Sequence, residues 1–347
     1  MLVAATVMAH PDRRDRAEAL ATVLQKEFPT RIVYDPDPNG PASTIPTARL
    51  AWEPWKSGQT HHLLLQDDVQ PVPFFAQSIR EIVAVHQDRW VSLATEWGSK
   101  TSWVCRAALL ANSSYAKVAD GYVPTWGLVV PTEQAENLSA YLNDVDDMMD
   151  DDHALYDFAQ QHVDLPPIVT IPNLIEHGAT ISLLGNDRVL GTRKSTMTTI
   201  VEPPSDWWQR GEFLEIRELP LVLHHEPGPP VKLSDPGTYG YDYSSLSYSE
   251  AEFVRVQSQL LSSSIALSTS ARSPFALLCL CLEHLSRFAA HHRQVSDFAY
   301  SDYVSGLRND AISGSILGAL RRVLNESDVR QLNNLTEFAG MYFRVLS

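Results

Sequence analysis

Short unbroken apolar runs alternate with helical periodicity over the first half of the chain. LVAATVM (2–8) is a run of strand length, and after it Ala17, Leu20, Ala21, Leu24 and Phe28 recur at a spacing that predicts a helix, with Asp12 placed to cap it. RIVYD (31–35) predicts a second strand, PDPNGP a turn, TARLAWEPW a helix and HHLLLQDD a third strand. VPFFAQSIREIVAVHQ carries Phe75, Ile79, Ile82, Val83 and His86 on one helical face, and WVSLAT (90–95) returns as a strand. Strands that are apolar throughout and alternate with helices predict an α/β fold with a mostly parallel central sheet covered by helices on both faces.

From about residue 100 to 130 the periodicity loosens, until GLVVP reads as a strand. A helix from Glu133 to about Leu142 follows, then the acidic run DVDDMMDDD and a helix with Ala154, Leu155, Phe158 and Ala159 as its buried stripe. LPPIVTIPNLIEHG closes a first domain, expected at residues 1–202. Residues 203–347 pass through the turn-rich HHEPGPPVKLSDPGTYGYDYSS and are then helical in pattern, which predicts a mostly helical second domain.

In such a sheet, ligands sit beyond the carboxyl ends of the strands. Asp35, Asp37, Asp67 and Asp68 fall at such ends, as does AHPDRR after the first strand. A hard divalent cation takes oxygen ligands, and two adjacent carboxylates on a rigid strand can supply them. His177, between Glu176 and Gly178 after an extended segment, can bring an imidazole to the same ion. Asp151 and Asp152 open a helix, where its positive end stabilises them and where a general base is rigidly held. The plain alternatives are turn caps for the first pair and helix N-caps for the second.

Net charge changes the picture. At −15 in 347 residues, the chain is a poor coat for nucleic acid and a poor adsorbent on anionic membranes, so a phosphate-bearing substrate needs local help from a cation or from arginines. Three cysteines, two of them in an apolar C-x-C, fit buried thiols in a reducing compartment rather than a zinc site. The apolar start is too short to span a bilayer and lacks basic residues ahead of it, so a cytoplasmic protein is expected. No G-x-G-x-x-G follows the first strand, and no G-x-x-x-x-G-K-[ST] or G-x-S-x-G occurs, which leaves dinucleotide, P-loop and nucleophile-elbow chemistries without their motifs.

The order AHPDRR, YDPDP, LLLQDD, WGLVVP, DDxxL and NLIEHG resembles a GT-A fold glycosyltransferase, closest to small family 2 and family 25-like enzymes of bacterial or phage type. The resemblance covers roughly residues 1–200. It implies that Gln66-Asp67-Asp68 stands for the D-x-D motif, with glutamine in its first place, and that Asp67 and Asp68 serve the donor diphosphate and a Mn2+ or Mg2+ ion. It further implies that His177 completes the metal site and that Asp152, after Asp151 and before Leu155, is the base of an inverting transfer. His10, Asp12, Arg13, Asp35 and Asp37 are then expected to face the nucleotide and Arg49 to reach a phosphate. Trp126 in PTWG is expected to offer a ring face to a sugar or acceptor, or else to belong to the core.

The function so implied is transfer of a sugar from a nucleoside diphosphate sugar, with a UDP-sugar foremost, to an acceptor hydroxyl on a glycan, peptide, nucleobase or small molecule. The alternative is a catalytically idle GT-A-like module that binds a nucleotide or a partner, and a third reading is a metal-dependent phosphoesterase, which wants more histidines beside the aspartates. The apolar C-terminal helices offer a route to homo-oligomers.

Overall fold

A computed structural model describes residues 1–178, 193–213, 218–222, 231–234, 242–245, 249–291 and 301–343. The chain forms two compact units, one of residues 1–95, 120–192 and 199–209, the other of residues 96–119, 193–198 and 210–347. The first unit is therefore discontinuous. Its last stretch ends at Gln209, close to the cut expected at residue 202, while 96–119 and 193–198 group with the carboxyl-terminal half.

The first unit is a mixed α/β structure. Its strands are β1 (Val3–Ala9), β2 (Thr30–Tyr34), β3 (His61–Gln66), β5 (Val91–Ser92), β7 (Gly127–Pro131) and β8 (Ile168–Thr170), with a short β4 (Val69–Pro71) and β9 (Ile175–His177) outside the sheet. In space they run β8, β5, β7, β3, β1, β2. The β1–β2, β1–β3 and β5–β8 pairings are parallel, and β7 alone runs against its neighbours β3 and β5. All seven residues of β1 are buried, as their unbroken apolar run requires of a strand covered on both faces. Helix α1 (Arg14–Leu24) packs on β1 and β2, while α2 (Ile45–Trp52) and α5 (Thr132–Leu142) pack against each other and against β3.

Residues 207–209 join this unit through two tryptophans. Trp207 is buried and donates from Nε1 to the carbonyl of Ile171 at 2.5 Å; Trp208 donates to Ser78 Oγ on α3 (Phe75–Val85) at 3.1 Å.

In the second unit, α4 (Lys100–Leu110) has every residue from Thr101 to Leu110 buried. A helix covered on all sides has no polar face and hence no amphipathic period, which is why the sequence pattern loosens there. Two short parallel strands, β6 (Tyr115–Lys117) and one at Glu212–Phe213, and a three-stranded antiparallel sheet of Glu218–Val222, Val231–Ser234 and Asp242–Ser245 belong to this unit. Among the described residues the unit also has helices at Glu250–Leu261, Thr269–His291, Ser301–Leu320, Glu326–Val329 and Leu332–Gly340. Among the described residues, no helix is long and apolar enough to cross a membrane.

Candidate functional site

Two adjacent parallel strands build the centre of the site. β1 and β3 run in register, with Met8 opposite Gln66, so the residues just past their carboxyl ends meet. The His10 N–H donates to Asp67 Oδ2 at 2.9 Å. Arg13, in the single turn between β1 and α1, donates from Nη1 to Asp67 Oδ1 at 3.0 Å and to Asp68 Oδ2 at 2.8 Å. The two carboxylates are only 6% and 8% exposed, which replaces the solvated turn cap with a buried, bridged acidic pair.

His177 arrives from a ribbon that the sequence pattern does not announce. β4 pairs antiparallel with β9 (Ile175–His177), placing Val69 opposite His177. The Gly178 N–H donates to the Asp68 carbonyl at 2.7 Å, and His177 Nε2 lies 3.4 Å from Asp68 Oδ2. The other ring nitrogen, Nδ1, is buried without a hydrogen-bond partner. A Cβ at Gly178 would sit 2.7 Å from that same carbonyl oxygen, so only glycine permits the approach. Gly178→Ala is accordingly expected to spread the ribbon and cost about 1–3 kcal/mol, read as a lowered urea midpoint. An unchanged midpoint would mean that the ribbon does not hold the histidine in place.

The electrostatics separate the two aspartates. Burial pushes the Asp68 carboxyl up, but the hydrogen bond and charge of His177, with Arg13 beside them, outweigh it and hold the group at about 2. At Asp67 burial prevails over the His10 N–H and Arg13, and the carboxyl titrates above its ordinary value. Arg13 stays firmly protonated, since the two carboxylates overcome its own desolvation.

Gln66 donates from Nε2 to Thr125 Oγ1 at 3.3 Å, so the first place of the motif is tied to the chain beside it. Trp126 is 8% exposed and its ring centroid stands 4.5 Å from that of His177. It walls the histidine, which fits the core placement, the second of the two expectations for it.

The same segment leads to the second acidic group. The Val123 N–H donates to the Asp152 carbonyl at 3.1 Å, and the Tyr122 ring lies edge-on to His153 at 6.1 Å. Val123 and Trp126 are three residues apart, a span of at most about 11 Å even when fully extended. Asp151 and Asp152 begin α6 (Asp151–His162) but part in role. Asp151 is buried, donates its N–H to Thr44 Oγ1 at 3.1 Å, and has its carboxyl pushed up by burial, which ties the helix start to Thr44 and leaves Asp152 as the more accessible of the two. The Asp152 side chain is 33% exposed, and its Oδ1 accepts the His153 N–H at 2.8 Å. Oxygen and nitrogen atoms of Asp150, Asp152 and His153 lie within 4.8 Å of one another, close enough to share a cation, although Asp150 and His153 are exposed.

The remaining candidates lie at the margin or elsewhere. Asp12 is exposed; its N–H donates to His10 Nδ1 at 3.2 Å, orienting that ring. The Asp35 N–H continues the ladder to the Ala9 carbonyl, and its carboxylate accepts the Asp37 N–H at 3.0 Å, closing the turn after β2. Arg49 has a different task from the one expected. Its Nε and Nη2 donate to the carbonyls of Leu142 and Val145 at 2.6 Å, and Nη1 pairs with Asp147 at 2.6 Å, so it pins the loop ahead of α6. Thr44 and Thr125, which hold Asp151 and Gln66, carry no signal in the sequence beyond a hydroxyl.

No family model matches the chain, and no curated protein matches it either.

Proposed function

We propose that the chain is a metal-dependent glycosyltransferase of GT-A type, transferring a sugar from a nucleoside diphosphate sugar, with UDP-sugar the expected donor, to an acceptor hydroxyl with inversion. The observation that carries this reading is the group of His10, Arg13, Asp67, Asp68 and His177, the last three of them buried, gathered at the carboxyl ends of two parallel strands. Its charges favour a cation. With its histidines neutral, two carboxylates against one guanidinium leave the group net negative, and a diphosphate is repelled unless a dication joins. The donor set also suits one: Asp68 Oδ2 and His177 Nε2 face each other at 3.4 Å.

Asp68 and His177 would hold Mg2+ or Mn2+, which supplies positive charge to the departing diphosphate. The chain's own residues do the rest. Arg13, protonated and beside both carboxylates, can lend its guanidinium to a phosphate oxygen. Asp152, on a rigid helix start and open to solvent, takes the proton of the acceptor hydroxyl as that oxygen bonds to the anomeric carbon and the bond to the diphosphate breaks.

Asp152→Asn is expected to lower turnover by about 10²–10⁴-fold while leaving nucleotide affinity unchanged. Donor consumption with a mixed acceptor panel, followed by mass spectrometry, reads the first quantity. Full turnover in this variant would remove Asp152 from the chemistry.

The second reading, an idle module that binds without turnover, draws on Arg13 already bridging both carboxylates and on Gln66 being tied to Thr125. Tight nucleotide binding with no donor consumption by the unmodified chain would select it.

A further inference from the structure

Among the described residues of the second unit, Trp97 and Arg321 have buried donors without a hydrogen-bond partner. Glu96 bridges to Ser195, and the Trp97 N–H donates to the Lys194 carbonyl at 2.8 Å. Helix Ser301–Leu320 runs against this stretch so closely that a Cβ at Gly318 would lie 2.7 Å from the Trp97 carbonyl carbon and 2.9 Å from the Gly98 nitrogen. Arg321 comes three residues after Gly318, one turn further along the same face. Its Nη1 donates to Glu96 Oε1 at 2.6 Å.

That pair uses one corner of the guanidinium. Nε and Nη2, which form the side edge that matches two oxygens of an oxyanion, are buried and lack a hydrogen-bond partner. The Arg321 side chain is 10% exposed. Nε1 of Trp97, the residue next to Glu96, is a further buried donor in the same condition. Buried polar groups in folded proteins are nearly always paired, so an unfilled fork with an indole donor on the adjoining residue asks for an acceptor from outside the chain.

The charge around it has the right sign. Arg106 on α4 is wholly buried and donates to the carbonyls of Ala311 and Trp97 and to Ser102 Oγ, none of them a carboxylate. Lys100 opens α4, and Lys194 lies on the segment bridged to Glu96–Trp97. Glu96 is thus set against two buried guanidiniums in a chain whose overall charge is −15.

We propose that the Nε/Nη2 edge of Arg321 is a binding site for a phosphate-class oxyanion, free or as a phosphate ester, in the second unit. The site does not depend on the transferase reading. Inorganic phosphate titrated into the full chain, followed by calorimetry and thermal shift, tests it. The unmodified protein is expected to show saturable binding. Arg321→Lys, which keeps the charge but loses the fork, is expected to weaken it at least tenfold, and Trp97→Phe severalfold. Absence of saturable binding in the unmodified chain overturns the proposal, as does equal affinity in Arg321→Lys. If that variant does not fold, an unaltered affinity in Trp97→Phe counts against the site, and acetate binding in place of phosphate overturns the assigned class.

Discussion

Arg13→Gln is expected to destabilise the protein by about 3 kcal/mol in the absence of divalent cations, and millimolar Mn2+ is expected to recover most of that loss. The first half follows from burial: Asp67 and Asp68 are nearly sealed from water and share one guanidinium nitrogen. Removing the positive partner of a buried ion pair leaves an uncompensated charge, which costs about 3–5 kcal/mol where the pair is fully enclosed; Arg13 keeps 14% exposure, so the lower end applies. The second half follows from linkage, since an ion at 100 times its dissociation constant adds about 2.7 kcal/mol to the folded state. Without Arg13 the cation meets two negative charges and no competitor. Urea unfolding of both proteins with and without Mn2+ measures the effect. If Mn2+ stabilises the unmodified protein as much as the variant, Arg13 and the cation do not contend for the same carboxylates.

The second large effect is on acid stability and rests on His62, the second residue of β3. This ring is fully buried and tilts against Trp52 with centroids 5.5 Å apart. Burial, with the charge of Arg31 adding to it and a backbone carbonyl opposing it, lowers the imidazole from 6.5 to about 3. Below pH 6.5 the unfolded chain therefore takes up a proton that the folded chain refuses until about pH 3. The unfolded state binds more protons throughout that window, so stability falls as pH falls through it. Between pH 7 and pH 4 this one residue removes about 3 kcal/mol. His61 and His86 are lowered by burial too, so the protein is expected to be acid-labile as a whole. His62→Leu is expected to lose about 3 kcal/mol less than the parent over that interval in chemical denaturation. Parallel stability profiles for the two proteins would exclude His62 as the cause.

The sequence discloses those parts of the fold and site that depend on local pattern. β1 is an apolar run buried along its whole length, and β3 has LLL at its centre and is buried from His61 to Leu65; α3 shows its buried face at helical spacing. Asp67, Asp68 and His10 follow because a residue just past a parallel strand must lie at the sheet's ligand edge. What depends on partners distant in sequence is hidden. The β4–β9 ribbon joins residues more than a hundred positions apart, and only Gly178, a glycine where two backbones touch, hints at it. Arg49 illustrates the converse: an arginine on the helix before an acidic strand suggests a phosphate ligand, yet three contacts to residues 142–147 engage it. Asp151 and Asp152 are identical in type and adjacent in sequence, and only packing against Thr44 distinguishes the buried anchor from the accessible carboxylate. α4 escapes the pattern altogether because a helix enclosed on every side has nothing periodic to display.

In the proposed function, the acidic group at the ends of β1 and β3 would receive a nucleoside diphosphate through a divalent cation. Calorimetric titration of UDP into the protein, with Mn2+ and with the ion chelated, and again with Asp68→Ala, tests it most directly. Binding that requires both Mn2+ and Asp68 is the expected result. Binding of equal strength without the ion, or in the Asp68→Ala variant, would contradict the account, as would the absence of binding by any nucleoside diphosphate under either condition.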